Sequence, residues 1–240
     1  MPREEWISVA VDGSAMRAHL SLPDDALANG CGVVVLHGVG GIESGFLALP
    51  KRLAELGYTV IFPDLFHRYP YFQARPRTER VSNLTWEGVQ ADLDGALAVL
   101  RAHGVRHSAV LGYCFGGALV LMASAALPFE TGVMYYPHSL FMPFGTGPEA
   151  AADLISHVRV PVLGHFGADD RNPSPADMQR LEAELTAAGV PHRLFAYAGA
   201  AHGFAVSGDG RDNFRETQSI AANQRTVDWF ERELLARALR

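Results

Sequence analysis

Cysteine is scarce in this chain: only Cys31 and Cys114 occur in 240 residues. Two thiols cannot form the disulfide framework of a small secreted domain, and an unpaired reactive thiol suits a reducing compartment, so a cytoplasmic location is expected. The N-terminal Met-Pro-Arg-Glu-Glu-Trp is acidic where a secretion signal has a basic start and then an apolar run. No apolar stretch reaches the ~18 residues of a membrane span. Charge of one sign is also sparse. Twenty Lys and Arg against 26 Asp and Glu leave a net charge of −6, which gives no sign of a nucleic-acid or anionic-membrane partner. The metal patterns H-E-x-x-H and C-x-x-C are missing, so no catalytic metal is expected. A dinucleotide loop starting at Gly38 would need glycine at position 43, where Glu43 stands, and no Gly-Lys-Ser/Thr phosphate loop occurs. Repeats and linkers are missing as well, so residues 1–240 are expected to form one domain with a substantial core. The hydrophobic fraction of 48% and charged fraction of 19% are those of an ordinary globular protein.

What is present is an alternation of short apolar runs and helical segments. Residues 7–11 and 17–22 flank Asp12-Gly13, a turn signal, and predict an antiparallel hairpin. Buried strands are expected at 32–37, 58–63, 107–112, 132–136, 161–166 and 192–197. Helices are expected up to Leu56, where Gly57 ends them, then over 85–103 with Thr85 as N-cap, after residue 114, and over 175–188 ended by Gly189. A long loop covers 64–84, a Pro/Gly-rich loop runs to Pro148, and an amphipathic helix is expected over 217–240. This order implies an α/β fold: a mostly parallel central sheet with an antiparallel N-terminal edge and helices on both faces. In such folds the chemistry gathers beyond the carboxyl ends of the strands.

The strand over 107–112 runs into Gly112-Tyr113-Cys114-Phe115-Gly116 and then a segment rich in helix formers. This is the G-x-nucleophile-x-G form of the α/β-hydrolase nucleophile elbow, with cysteine in place of serine. The turn strains its central residue, and the glycines relieve crowding where strand and helix come close. The helix dipole and a nearby imidazolium both favour the thiolate, the reactive form.

A thiol nucleophile needs a base, and the base needs a group to orient it. Downstream of Cys114, in the order acid then histidine, the strand ending at Gly167 is followed by Asp169 and Asp170, and a later strand-end loop carries His202. The two aspartates compete for one role, and the Gly-x-x-Asp spacing favours Asp170. His165, inside a strand, is expected to be a buried, hydrogen-bonded residue. Directly after the first buried strand, His37-Gly38-Val39-Gly40-Gly41 forms a turn suited to oxyanion binding. The backbone N–H groups of Val39 and Phe115 are the candidate donors. Tyr136, Phe204 and the aromatic loop over 66–72 are candidates for the substrate pocket wall.

From about Gly32 to the last helix, the chain resembles the dienelactone hydrolase family. The resemblance rests on Gly-Tyr-Cys114-Phe-Gly-Gly, Tyr135-Tyr136, the turn from Gly167 to Asp170, and Ala201-His202-Gly-Phe204. It implies the α/β-hydrolase fold, a cytoplasmic enzyme without cofactor, and a triad of Cys114 as nucleophile, His202 as base and Asp170 as its orienter. It also implies a small-molecule ester or lactone substrate, cleaved through an acyl-cysteine, by a monomer or small homo-oligomer. Two alternatives keep the same fold: a non-catalytic ligand-binding protein, and an acyltransferase to an acceptor other than water. The chain departs from the family at two points. Gly38 stands where characterised members have a glutamate near the thiol. Val206 stands where they have an arginine for a substrate carboxylate. A second such arginine has three possible counterparts, Arg75, Arg77 and Arg80.

Overall fold

The computed structural model describes residues 1–69, 77–207 and 213–239, with the side chains of Arg77 and Thr78 left out. The strands that read as unbroken apolar runs are the interior of one sheet. Strands β3 (Cys31–Leu36), β4 (Thr59–Pro63), β6 (Thr131–Tyr135) and β7 (Val162–Gly167) are buried at every position, as expected of strands covered on both faces. With β1 (Arg3–Val11), β2 (Ser14–Leu22), β5 (His107–Tyr113) and β8 (His192–Tyr197) they form an eight-stranded sheet of order β1-β2-β4-β3-β5-β6-β7-β8. The first two pairings, β1 with β2 and β2 with β4, are antiparallel, and the rest are parallel.

Alternate side chains along a strand point to opposite faces, so one sheet feeds two cores. Val34, Leu36, Val110 and Met134 meet α3 (Trp86–Ala102), α4 (Phe115–Ala126) and α5 (Pro175–Ala187). Val33, Val35, Ala109, Leu111 and Val133 meet α1 (Ala48–Glu55) and α6 (Glu216–Phe230) on the other face. Helix α4 is apolar all round, because the sheet and the 3-10 segment Ala151–His157 cover it from both sides; residues Phe115 to Ser124 are all buried. The caps follow the sequence signals. Thr85 Oγ1 accepts from Gly88 N at 3.0 Å, and Ser174 and Asp177 form a capping box ahead of Pro175.

Several segments differ from expectation. The region before Leu56 is a 3-10 turn, Ser44–Leu47, followed by the short α1. The loop over 64–84 contains a helix, α2 (Arg77–Ser82). The C-terminal helix is not continuous: α6 passes into a π-helical turn, Glu231–Leu235, and then α7 (Ala236–Ala238). Among the described residues, no helix is long and apolar enough to cross a membrane.

Candidate active site

Cys114 forms the corner between β5 and α4 with φ 58° and ψ −125°. A left-handed conformation at a non-glycine residue costs on the order of 1–3 kcal/mol and persists only where neighbours fix it. Here they do. Cys114 N donates to Tyr135 O at 3.1 Å, while Cys114 O accepts from Gly117, Ala118 and His138 N–H at 2.9, 3.3 and 2.9 Å. The flanking glycines are needed for close approach. A Cβ on Gly112 would strike Gly116 O, and one on Gly116 would lie 2.5 Å from His37 O.

His202 lies in the turn after β8, and its Nδ1 donates to Asp170 Oδ2 at 2.9 Å. Asp170 is buried, and its Oδ1 accepts from Asn172 N at 3.0 Å. Asp169 is exposed. Of the two aspartates, the geometry brings Asp170 to the imidazole. Nε2 of His202 is buried with no partner in hydrogen-bonding geometry, yet the Cys114 thiol is close enough to interact with it. Burial acts against the charged imidazole. The Asp170 hydrogen bond and the Cys114 sulfur outweigh it and raise the His202 pKa to about 10.

The turn after β3 is fixed by His37. This ring is fully buried, and its desolvation pushes the pKa down, so it is neutral. Nε2 accepts from Leu65 N at 3.0 Å, which leaves the proton on Nδ1, and Nδ1 donates to Gly38 O at 2.8 Å. Gly41 N donates to the same oxygen at 3.0 Å. Gly38 O and Val39 N–H belong to one planar peptide, so both ties aim the Val39 donor. Phe115 N–H, at the start of α4, has no backbone acceptor among the described residues. A Cβ on Gly38 would be 3.2 Å from Cys114 Cβ and 3.9 Å from Sγ, so position 38 does border the thiol.

A cavity of about 330 Å³ opens beside this turn, with Val39, Phe115, Leu119, Met122, His138 and Met142 on its wall. Tyr136 and Phe204, anticipated as pocket wall, are instead fully buried. Tyr136 packs edge-on against His202 with ring centroids 5.1 Å apart, and Phe204 packs behind Tyr136 at 5.6 Å. They back the imidazole and do not line the cavity. Val206 is likewise a core residue, 3% exposed, set against Gly45. Of the three arginines, Arg75 and the side chain of Arg77 lie outside the described residues. Arg80 lines a second cavity of about 390 Å³, with Arg17, Asp64 and His67, on the side of Gly40 and Gly41. Of the aromatic loop, Phe66 stacks on Phe115 at 5.8 Å, and residues 70–72 lie outside the described set. His165 is buried between Tyr197 Oη at 2.9 Å and Thr226 Oγ1 at 3.0 Å, as its strand position predicts.

One residue was not anticipated. His138, in the loop after β6, lines the cavity and meets the His202 ring edge-on at 5.5 Å. The available signal was a histidine three residues beyond a strand end, next to Tyr135-Tyr136-Pro137. Among the described residues, no group of three or more His, Cys, Asp or Glu is arranged to hold a metal ion.

A family model described as the dienelactone hydrolase family matches residues 16–234. The carboxymethylenebutenolidase of Rhodococcus opacus is 31% identical over 215 residues, covering 84% of this chain and 81% of that protein. Among solved structures, a candidate dienelactone hydrolase from Klebsiella pneumoniae superposes with a TM-score of 0.85 at 24% identity, covering 97% of this chain and 99% of that one. The acylaminoacyl peptidase of Pyrococcus horikoshii does so with a TM-score of 0.78 at 15% identity, over 100% of this chain and 44% of its own. The two structural likenesses establish the α/β-hydrolase fold. With the family match spanning nearly the whole sequence, the chain belongs to the dienelactone hydrolase family and is a hydrolase.

Proposed function

We propose that this chain hydrolyses neutral esters or lactones through a covalent acyl intermediate on Cys114. The observation that carries this reading is the imidazole of His202. Its Nδ1 is held by Asp170 at 2.9 Å, while its Nε2 is buried, unpaired and beside the thiol. That is the disposition of an imidazole that holds the thiol proton and can later pass it to the leaving group.

In the first half-reaction the thiol proton is held by His202 Nε2, and the Cys114 sulfur adds to the substrate carbonyl carbon. A C–S bond forms, and the carbonyl π electrons move to oxygen, where the Val39 and Phe115 N–H groups offset the charge. Collapse breaks the C–O bond, and the alkoxide leaves with the proton from His202. In the second half-reaction, water gives a proton to His202 as its oxygen attacks the thioester. The C–S bond breaks, releasing the carboxylic acid and restoring the thiol and imidazole pair.

Two features support a neutral substrate. The wall of the cavity beside Val39 and Phe115 is mainly apolar, with His138 its one ionisable side chain among the described residues. Among the described residues no arginine, the residue suited to a bidentate carboxylate pair, stands on that wall; Val206 is in the core, and Arg80 lines the other cavity. A panel of activated esters and lactones, assayed on the wild type and on Cys114→Ala, tests the reading. Turnover by the wild type and none by the variant is expected. Equal turnover by both would exclude the covalent route.

A further inference from the structure

Beyond β6 the chain enters two left-handed positions in quick succession, Tyr136 with φ 37° and Ser139 with φ 58°. Neither is glycine, so the segment is strained and must be held from outside. Three groups hold it, and two of them belong to the active site. Tyr136 N donates to His165 O at 2.7 Å, and His138 N to the carbonyl of Cys114 at 2.9 Å. Ser139 N donates to Asn172 Oδ1 at 3.0 Å, and Asn172 N donates in turn to Asp170 Oδ1 at 3.0 Å. One carboxylate therefore fixes two histidines: Asp170 Oδ2 directly orients His202, and Oδ1 anchors the backbone that carries His138.

The His138 ring is fixed as well. Its Nδ1 is hydrogen-bonded to Ser139 Oγ at 2.6 Å, and the ring makes a T-shaped contact with His202. Nε2 has no partner among the described residues, on a ring that lines the cavity. Burial, and then the charge on His202, hold the His138 pKa below its usual value against the opposing pull of Asp170, so the ring offers one neutral hydrogen-bonding nitrogen. In the proposed reaction the alkoxy oxygen must meet His202 Nε2 to take its proton. The part of the substrate that continues past Val39 and Phe115 into the cavity is then the acyl part.

We propose that His138 is a specificity-determining residue of the acyl-cysteine reaction set out above, on which this inference rests. Its Nε2 hydrogen-bonds an oxygen carried on the acyl group, so the site prefers neutral acyl groups bearing an ether or hydroxyl oxygen over all-carbon groups of the same shape. A polar nitrogen at the wall of an apolar cavity discriminates in this way because it is left unpaired by the all-carbon ligand.

The test uses two activated esters of matched length, p-nitrophenyl methoxyacetate and p-nitrophenyl butyrate, in which an ether oxygen replaces one methylene. The ratio of kcat/KM for the two is compared between enzymes, so that their intrinsic reactivities cancel. In His138→Phe, which keeps a flat ring against His202, this ratio is expected to fall ~5- to 10-fold, the effect of one neutral hydrogen bond. His138→Gln, which keeps a donor and an acceptor, is expected to restore much of it. If His138→Phe does not fold by circular dichroism, His138→Leu paired with His138→Gln reads the same ratio. An equal loss for both esters would make His138 a packing residue only, and an unchanged ratio would also overturn the inference while leaving the hydrolase reading standing. If the wild type hydrolyses neither ester, the acyl-cysteine reading itself fails, and this inference falls with it.

Discussion

Among the described residues two nucleophile–histidine–carboxylate sets stand out, and we propose that only the one at the elbow reacts. At the elbow are Cys114, His202 and Asp170. At the antiparallel edge are Ser14, His67 and Asp92, with His67 bonded to Ser14 Oγ at 3.0 Å and to Asp92 Oδ1 at 2.9 Å. By residue type and distance the two look alike. They differ in what is left open. His67 uses both nitrogens, and Asp92, fully buried, is also taken by Arg68 at 2.8 Å, which reaches on to Asp12 at 3.1 Å. Ser14 begins an ordinary strand and is not itself left-handed; the left-handed positions of its hairpin turn are Asp12 and Gly13, whereas at the elbow the nucleophile itself takes that conformation. That set ties the β1–β2 hairpin to α3. At the elbow the backbone is strained, one imidazole nitrogen has no partner, and a turn held by His37 presents an amide nearby. On the proposed mechanism, the reactive set is distinguished by its unfinished hydrogen bond more than by its composition.

The sharpest way to break the comparison is to remove each nucleophile. Cys114→Ala is expected to abolish hydrolysis, a loss of up to ~10⁶ in kcat, whereas Ser14→Ala keeps wild-type turnover. The reverse outcome in a steady-state assay would exchange the roles of the two sets. Removing the carboxylates comes next. Asp170→Asn is expected to cut kcat on the order of 10⁴-fold by admitting the wrong imidazole tautomer, with Asp169→Asn doing far less. Asp92→Asn should instead cost about 3 kcal/mol of stability, because it leaves Arg68 without its buried partner. Urea unfolding and kinetics on the same preparations check both. A large kinetic effect at Asp92 with no loss of stability would contradict the structural role.

Substrate charge should have a smaller effect. One arginine–carboxylate pair is worth about 2–3 kcal/mol, so without one a methyl ester is expected to exceed the matching free carboxylate in kcat/KM by roughly 30- to 150-fold. A preference for the carboxylate would direct attention to Arg75, Arg77 and Arg80. The smallest effect concerns the imidazole itself. The pKa of His202 is raised from 6.5 to about 10, so its stabilising interactions are complete below 6.5 and are lost as the pH rises toward 10. Cys114→Ala removes the sulfur's share, and the His202 pKa followed by NMR should fall toward, but not to, that of Asp170→Asn,Cys114→Ala. An unchanged value in Cys114→Ala would mean that thiol and imidazole are not coupled.

The elbow could be read from sequence because its chemistry is local. Five adjacent residues specify the strand end, the tight corner and the helix start, and the glycines on either side leave few other structures for them. The interior strands were legible because burial on both faces leaves an unbroken apolar run. Helix α2 was not, since Arg77–Ser82 carries no apolar periodicity, and neither was the π-helical turn, which changes hydrogen bonding without changing composition. Tyr136 and Phe204 were placed in the right neighbourhood, but they are buried behind the imidazole and are not in the lining of the cavity. Chain order locates a loop and says nothing of which face of it is covered. His138 was missed for a related reason, although its place just beyond a strand end was a signal. Its anchorage runs from Ser139 to Asn172, 33 positions away, and no spacing rule connects them.

The central claim, that the open nitrogen of His202 marks Cys114 as the nucleophile, is tested most directly by trapping the acyl group. The enzyme is quenched in acid during turnover of an activated ester, its intact mass is measured, and the adduct is mapped by peptide sequencing. The account predicts one acyl group on the peptide containing Cys114, lost in Cys114→Ala and greatly diminished in its rate of formation in Asp170→Asn. An adduct on Ser14 or any other residue, or sustained turnover by Cys114→Ala, would contradict it.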